Sequence, residues 1–165
     1  GGRLHLALYH TWRFEESILI RPGVPELDLL GGSATGSRGG RPRHELQAQA
    51  GIFRNGLGAF LNANWQAGTT VRGGPEGSGG TTGDLEFSDF ASVNLRLFAN
   101  LAEQPALIRQ MPWLRGTRVT VGVNNLFDSR LKVRDRFGET PLNYQPAYLD
   151  PLGRSVTLSV RKMFF

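Results

Sequence analysis

The chain contains no cysteine, which excludes a disulfide framework and any thiolate metal site. It contains no apolar run near the roughly 18–20 residues that a membrane-spanning helix needs, and its opening residues are not expected to be a signal peptide. There is no basic helix and no Lys/Arg run. Net charge is +5, but the arginines are scattered or sit in loops, as Arg38, Arg41 and Arg43 do. Nucleic-acid binding is therefore not expected. The opening "GGRLHLALYHTW" carries no Met and already reads as a strand. We expect an excised or processed piece whose targeting segment lies elsewhere.

Chemistry is equally sparse. The three histidines are not expected to cluster, since His5 and His10 are five apart and so on opposite strand faces. "GGPEGSGGTTG" (73–83) is glycine-rich but lacks the Lys-Ser/Thr and the following helix of a phosphate loop. Asp84, Glu86 and Asp89 form a small acidic group near a loop end. A solvated strand end explains them better than a cation site. No nucleophile–base set stands out, so neither enzyme activity nor a cofactor is expected.

What is present is alternation. With 39% hydrophobic and 20% charged residues, the chain is not disordered in bulk. Its 22 glycines and 9 prolines gather between apolar segments, as turns between strands would. Six segments alternate with period two. In the first, Leu4, Leu6, Leu8 and Trp12 oppose Arg3, His5, Tyr9 and Thr11. The next three are "HELQAQAGIF", "LGAFLNANWQAG" and "FASVNLRLFANL". In "TRVTVGVNNLF", Val119, Val121 and Val123 share a face. In the last, Val156, Leu158, Val160 and Phe164 oppose Ser155, Thr157, Ser159 and Arg161.

The links order as long, short, long, medium, long. The short one is Arg54-Asn55-Gly56, a hairpin turn of the Asn-Gly type. The medium one contains Pro105 and Pro112, and its residues 107–111 suit a helical turn. The long ones span about 21–42, 73–84 and 136–152. An up-and-down meander then places long loops on one side and shorter turns on the other.

A half-solvated soluble sheet also has one apolar face. Length favours lipid, because unbroken alternation over about 10–12 residues suits a tilted strand crossing a bilayer, whereas ordinary strands run about 5–6. The fold expected is all-β, a segment of an antiparallel transmembrane β-barrel. Trp12 and Trp65 are candidate interface aromatics. Six strands leave two bare edges, and a sheet in lipid must close, so either more chain or more copies must complete it.

Two stretches add a resemblance. "GVNNLFDSRLKVRD" (122–135) and "YLDPLGRSVTLSVRKMF" (148–164) together resemble the C-terminal end of TonB-dependent outer-membrane receptors. In that family an Asn-Leu-Phe-Asp-like motif closes the penultimate strand, matched here by Asn125, Leu126, Phe127 and Asp128. A Gly-Arg pair, matched by Gly153 and Arg154, opens a last strand ending in Phe. The resemblance implies the last six strands of a 22-stranded, plugged barrel in the outer membrane of a Gram-negative cell. It implies uptake of a metal chelate, cobalamin or glycan, and contact with TonB through an N-terminal part that these residues lack. It also implies recognition of a terminal Phe, Phe164 or Phe165, by the barrel-assembly machinery. The double Phe departs from the single one that many members carry.

Candidate ligand contacts are Arg21, Arg38, Arg41, Tyr144 and Tyr148, in or beside long loops. Arginine suits carboxylate or phosphate, including the phosphates of lipopolysaccharide. His5, Tyr9, Arg96 and Arg118 are expected on the lumen side, facing the plug. Two other readings stand beside this one. A complete chain could build a structural barrel from several copies, or a soluble β-domain could bind a ligand or partner. A lipid-modifying barrel enzyme ranks behind both.

Overall fold

The computed structural model describes residues 1–34, 39–73 and 83–164. Its strands in chain order are β1 (Arg3–Trp12), β2 (Ser17–Ile18), β3 (Leu27–Asp28), β4 (His44–Arg54) and β5 (Leu57–Gln66). They continue with β6 (Thr69–Val71), β7 (Leu85–Phe87), β8 (Phe90–Asn100), β9 (Thr117–Asn124), β10 (Val133–Asp135) and β11 (Ser155–Lys162). Two short helices, α1 (Pro105–Gln110) and α2 (Pro146–Leu149), lie in connections.

The six expected segments form one antiparallel sheet in the order β1-β4-β5-β8-β9-β11, each strand beside its neighbour in the meander. The chain is all-β and antiparallel. The described sheet is open, with β1 and β11 as its edges.

Register fixes the faces. Leu6 lies opposite Ala50, and Ala50 opposite Leu61. Leu61 faces Leu95, Leu95 faces Val123, and Val123 faces Val156. Directly opposed residues share a face, so one apolar row crosses all six strands. No described element packs over this face: Leu6 and Leu158 on its edge strands are 69% and 71% exposed, and Ala50, Leu61, Leu95 and Val123 between them are half-buried. The opposite face carries Gln47, Gln49, Asn62, Asn64, Asn94, Thr120 and Thr157 in matched positions.

The connections sort by length as the alternation of strand direction requires. Segments 13–43, 67–89 and 125–154 all leave one end of the sheet, while the Asn55-Gly56 turn and residues 101–116 close the other. The long connections are not bare loops, and they extend further than the sequence pattern indicates. They hold a two-stranded sheet, β2-β3, and a three-stranded sheet, β10-β7-β6. The buried core lies in this layer. Leu85, Phe87 and Val133 are its centre, with Val71, Leu131, Tyr144 and Leu149 packed around them. Leu85 and Phe87 flank Glu86 with the two-residue spacing of a short strand, a pattern too brief to separate from a loop by sequence.

At the other end, Asn55 and Gly56 both have positive φ, 49° and 76°, the requirement of a type I′ hairpin. The Gly56 carbonyl accepts the Asn100 N–H at 2.7 Å, and Gln104 Nε2 donates to the Asn55 carbonyl at 2.5 Å. The helical turn expected over 107–111 forms earlier, over α1, because Pro105 takes the first helical position, where no N–H is needed.

A Cβ at Gly56 would lie 2.6 Å from Glu103 Cβ and 2.7 Å from the Asn100 carbonyl. With its φ as well, Gly56→Ala is expected to cost about 1–3 kcal/mol. A lowered denaturant midpoint with an unchanged m-value would register this loss.

Candidate functional site

Three polar arrangements lie at the long-connection end.

The first is a charge network at the base of the 13–43 connection. Arg13 follows β1, and its backbone N–H extends that strand's ladder to the Arg43 carbonyl at 2.9 Å. Its guanidinium grips Glu45 through two nitrogens, Nη1 at 3.0 Å and Nη2 at 3.1 Å. It also donates to the Pro42 carbonyl at 3.0 Å and meets Glu16 at 3.4 Å. The Glu45 hydrogen bond raises the Arg13 pKa above its ordinary value; partial burial opposes this, and the charges of Glu45 and Glu16 add to the rise. Arg41 closes the chain of charges through Glu16 at 2.9 Å. The fork geometry favours arginine over lysine at position 13.

The second part is a cleft of about 920 Å³ beside this network. Its walls mix Glu16, Arg41, Glu45 and Asp150 with Ile18, Phe90, Leu131 and Leu149. It is open and lined by both signs of charge, so it can hold a polar ligand with an apolar portion, and it shows no catalytic set.

The third part joins the two halves of the sequence motif. Asn125 is 7% exposed with φ 50°. Its side chain accepts the Ser129 N–H at 2.9 Å and donates to the Ser129 carbonyl at 2.8 Å. Its own N–H donates to Asn94 Oδ1 at 2.9 Å, and the Leu126 N–H donates to the Val93 carbonyl at 2.7 Å. These bonds stitch the end of β9 onto β8. Asp128, also at positive φ, accepts the Arg154 N–H at 2.9 Å and pairs with Arg130 at 3.4 Å. Arg130 also reaches the Asp150 carbonyl. Gly153 has φ 56° and presses on this pair, since a Cβ there would lie 2.4 Å from Asp128 Oδ1. Two segments some twenty-five residues apart thus meet at one carboxylate, with Phe127 turned out at 71% exposure.

The candidate ligand residues separate. Tyr144 packs edge-on against Phe87, 5.6 Å between centroids, and belongs to the small core. Tyr148 is 71% exposed and Arg21 is exposed. Arg41 is paired with Glu16 on the cleft wall. Arg38 and Phe165 lie outside the described residues, as does most of the glycine-rich 73–83 stretch. The structure does not gather these residues into one cluster.

Of the acidic group, Asp84 accepts the Gly73 N–H at 3.0 Å, Asp89 accepts the Trp65 indole N–H at 3.4 Å, and Glu86 lies opposite Arg134 in the small sheet. Among the described residues no three His, Cys, Asp or Glu side chains come together to hold a metal.

One expectation needs correction. Two histidines do meet: His10 Nε2 lies 3.3 Å from His44 Nδ1, with rings stacked at 5.5 Å. The cause is the β1–β4 register, which sets Trp12 opposite His44 and brings His10 one step along the same face. Spacing along the chain cannot show a pair that pairing across strands creates.

The polar face holds another feature that the alternation hides. Phe53 and Phe98 lie 5.6 Å apart over Gly58, and the Arg118 guanidinium sits 4.3 Å above the Phe98 ring. Arg118 thus stacks on an aromatic face. His5, Tyr9 and Arg96 share this sheet face, as their register positions require.

No family model, curated protein or solved structure matches this chain.

Asp128→Ala removes the acceptor of the Arg154 N–H at a positive-φ position, and about 1–3 kcal/mol should be lost. Asp128→Asn keeps an acceptor and a residue that tolerates left-handed backbone, so it should lose less. Equal denaturant midpoints for the two variants would refute the junction.

Proposed function

We propose that the chain is the C-terminal part of the β-barrel of a TonB-dependent outer-membrane receptor. In this reading it supplies barrel wall and outward loops for uptake of a scarce nutrient such as a metal chelate, cobalamin or glycan. Further strands and a plug domain come from the rest of the same protein, and that part reaches TonB. The chain performs no catalysis of its own.

The observation that carries the reading is the unbroken apolar row across six strands, exposed at its edge residues Leu6 and Val156 and half-buried at the four between them, with no described element packed over it. A soluble sandwich would cover such a face with a second layer. The small sheets here instead build their core from Leu85, Phe87 and Val133, at the long-connection end. Strands of 10 and 11 residues reach roughly 33–37 Å at about 3.3 Å per residue. Tilted by about 45°, they cover the ~25 Å apolar band of an outer-membrane barrel. The two motif halves joined at Asp128 add support, since both fit the family's chain end.

The open edges leave closure to be supplied. A longer chain satisfies the backbone of β1 and β11; so would further copies of this chain. Native mass in detergent separates them, because a mass near three chains favours self-assembly.

The absence of cysteine permits a direct test. Single cysteines at Leu6 and Leu158, on the apolar face, should resist a water-soluble maleimide in intact membranes. Cysteines at Gln49 and Thr157, on the polar face, should label until the lumen is blocked. Equal labelling of both sets, or a water-soluble monomer without detergent, would overturn the membrane reading.

A further inference from the structure

The three tryptophans do not share one rim of the sheet. Trp12 and Trp65 end β1 and β5 at the long-connection end. Trp113 lies at the opposite end, in the 101–116 connection, and is 69% exposed beside Met111 at 39%.

The path of that connection is set by Lys162. This residue continues the outward row Val156, Leu158, Val160, opposite Thr117. Its ammonium donates to the carbonyls of Trp113 and of Arg115. The backbone of 113–115 is therefore held on the apolar side of the sheet rim, not on its polar side. Met163 continues the ladder through its N–H to the Gly116 carbonyl at 3.0 Å, and the Phe164 ring lies 5.8 Å from the Lys162 ammonium. Met163 is 50% exposed and Phe164 88%. The result is a patch of Met111, Trp113 and Phe164 at this end of the sheet, with exposed Arg109 and Arg115 in the same connection.

Resting on the membrane reading above, we propose that this patch is a lipid-binding surface for anionic phospholipid headgroups at the turn-end leaflet. Three observations select that occupant. The patch lies at the end of the outward apolar row, where Phe164 resumes it past Lys162. Its polar component is cationic, from Arg109, Arg115 and Lys162. The two carbonyls turned to the apolar side are already capped by an amine, as a site short of water requires. Tryptophan offers a flat amphipathic ring to the headgroup level, and lysine extends its charge to the interface.

The test uses the whole protein that carries these residues, refolded into phosphatidylcholine vesicles with and without phosphatidylglycerol, with all tryptophans but one of Trp12, Trp65 and Trp113 changed to Phe. With Trp12 and Trp65 changed to Phe, Trp113 emission should shift to the blue. Lipids brominated near the headgroup should quench it more than lipids brominated at the chain end. Arg109→Glu with Arg115→Glu should weaken binding to phosphatidylglycerol vesicles about tenfold and leave phosphatidylcholine binding unchanged. Water-like, unquenched emission from Trp113, while the Trp12-only and Trp65-only forms are quenched, overturns this inference and leaves the membrane reading standing. Absence of quenching in all three forms overturns both. An unaltered response to phosphatidylglycerol in the double variant overturns the anionic assignment.

Discussion

Cross-strand register is the constraint on which the rest of this molecule depends. Side chains in a strand alternate, so a slip of one residue in any pairing moves that strand's apolar set to the other face. Five successive pairings keep Leu6, Ala50, Leu61, Leu95, Val123 and Val156 in one row. In a soluble domain the buried core would hold such a register. Here no covering layer lies over the apolar face among the described residues, and contacts at the strand ends hold the register instead. Asn55-Gly56 fixes one hairpin, the Arg13–Glu45 fork ties β1 to β4, and Asn125 ties β9 to β8. Each of these sits at a strand end, where it sets the register without occupying either face.

The same logic explains why the only described buried cluster lies among the connections. Segments that leave a strand end into water must satisfy their own backbone. The 67–89 and 125–154 connections do so by pairing with each other through β7 and β10, and they bury Val133 between them. A loop layer with its own small core results, with the mixed-charge cleft beside it. Arg41 illustrates the balance. Its pairing with Glu16 is half exposed and worth about 1 kcal/mol or less, so it contributes little to holding the layer.

Alternation made the large sheet legible from sequence, because the pattern runs for ten residues at a time and each switch of direction is marked by Gly or Pro. The hairpin at Asn55-Gly56 was legible for a local reason, the positive φ that its residues favour. The small sheets were not legible: β6, β7 and β10 have three residues each, too few to show a period. The contacts at the candidate site were hidden for another reason. His10 beside His44, Arg118 over Phe98 and Asp128 on Arg154 are each set by pairing between segments far apart in the chain. Tyr144 shows the converse, since its loop position pointed outward while Phe87 drew it into a core.

The end of the last strand shows how one residue can serve both faces of the problem. Lys162 stands in an otherwise apolar row, where a charge is out of place. Its ammonium is not left in that row. It turns to the rim and takes up the carbonyls of Trp113 and Arg115, groups that the 101–116 connection cannot satisfy within its own short helices. Replacing Lys162 by an apolar residue would lengthen the apolar row by one position and strand two carbonyls. A lysine there costs the sheet one apolar position and ties the end of β11 to the connection that precedes β9. The two bonds hold the end of β11 against residues 113–115, whatever medium the rim meets.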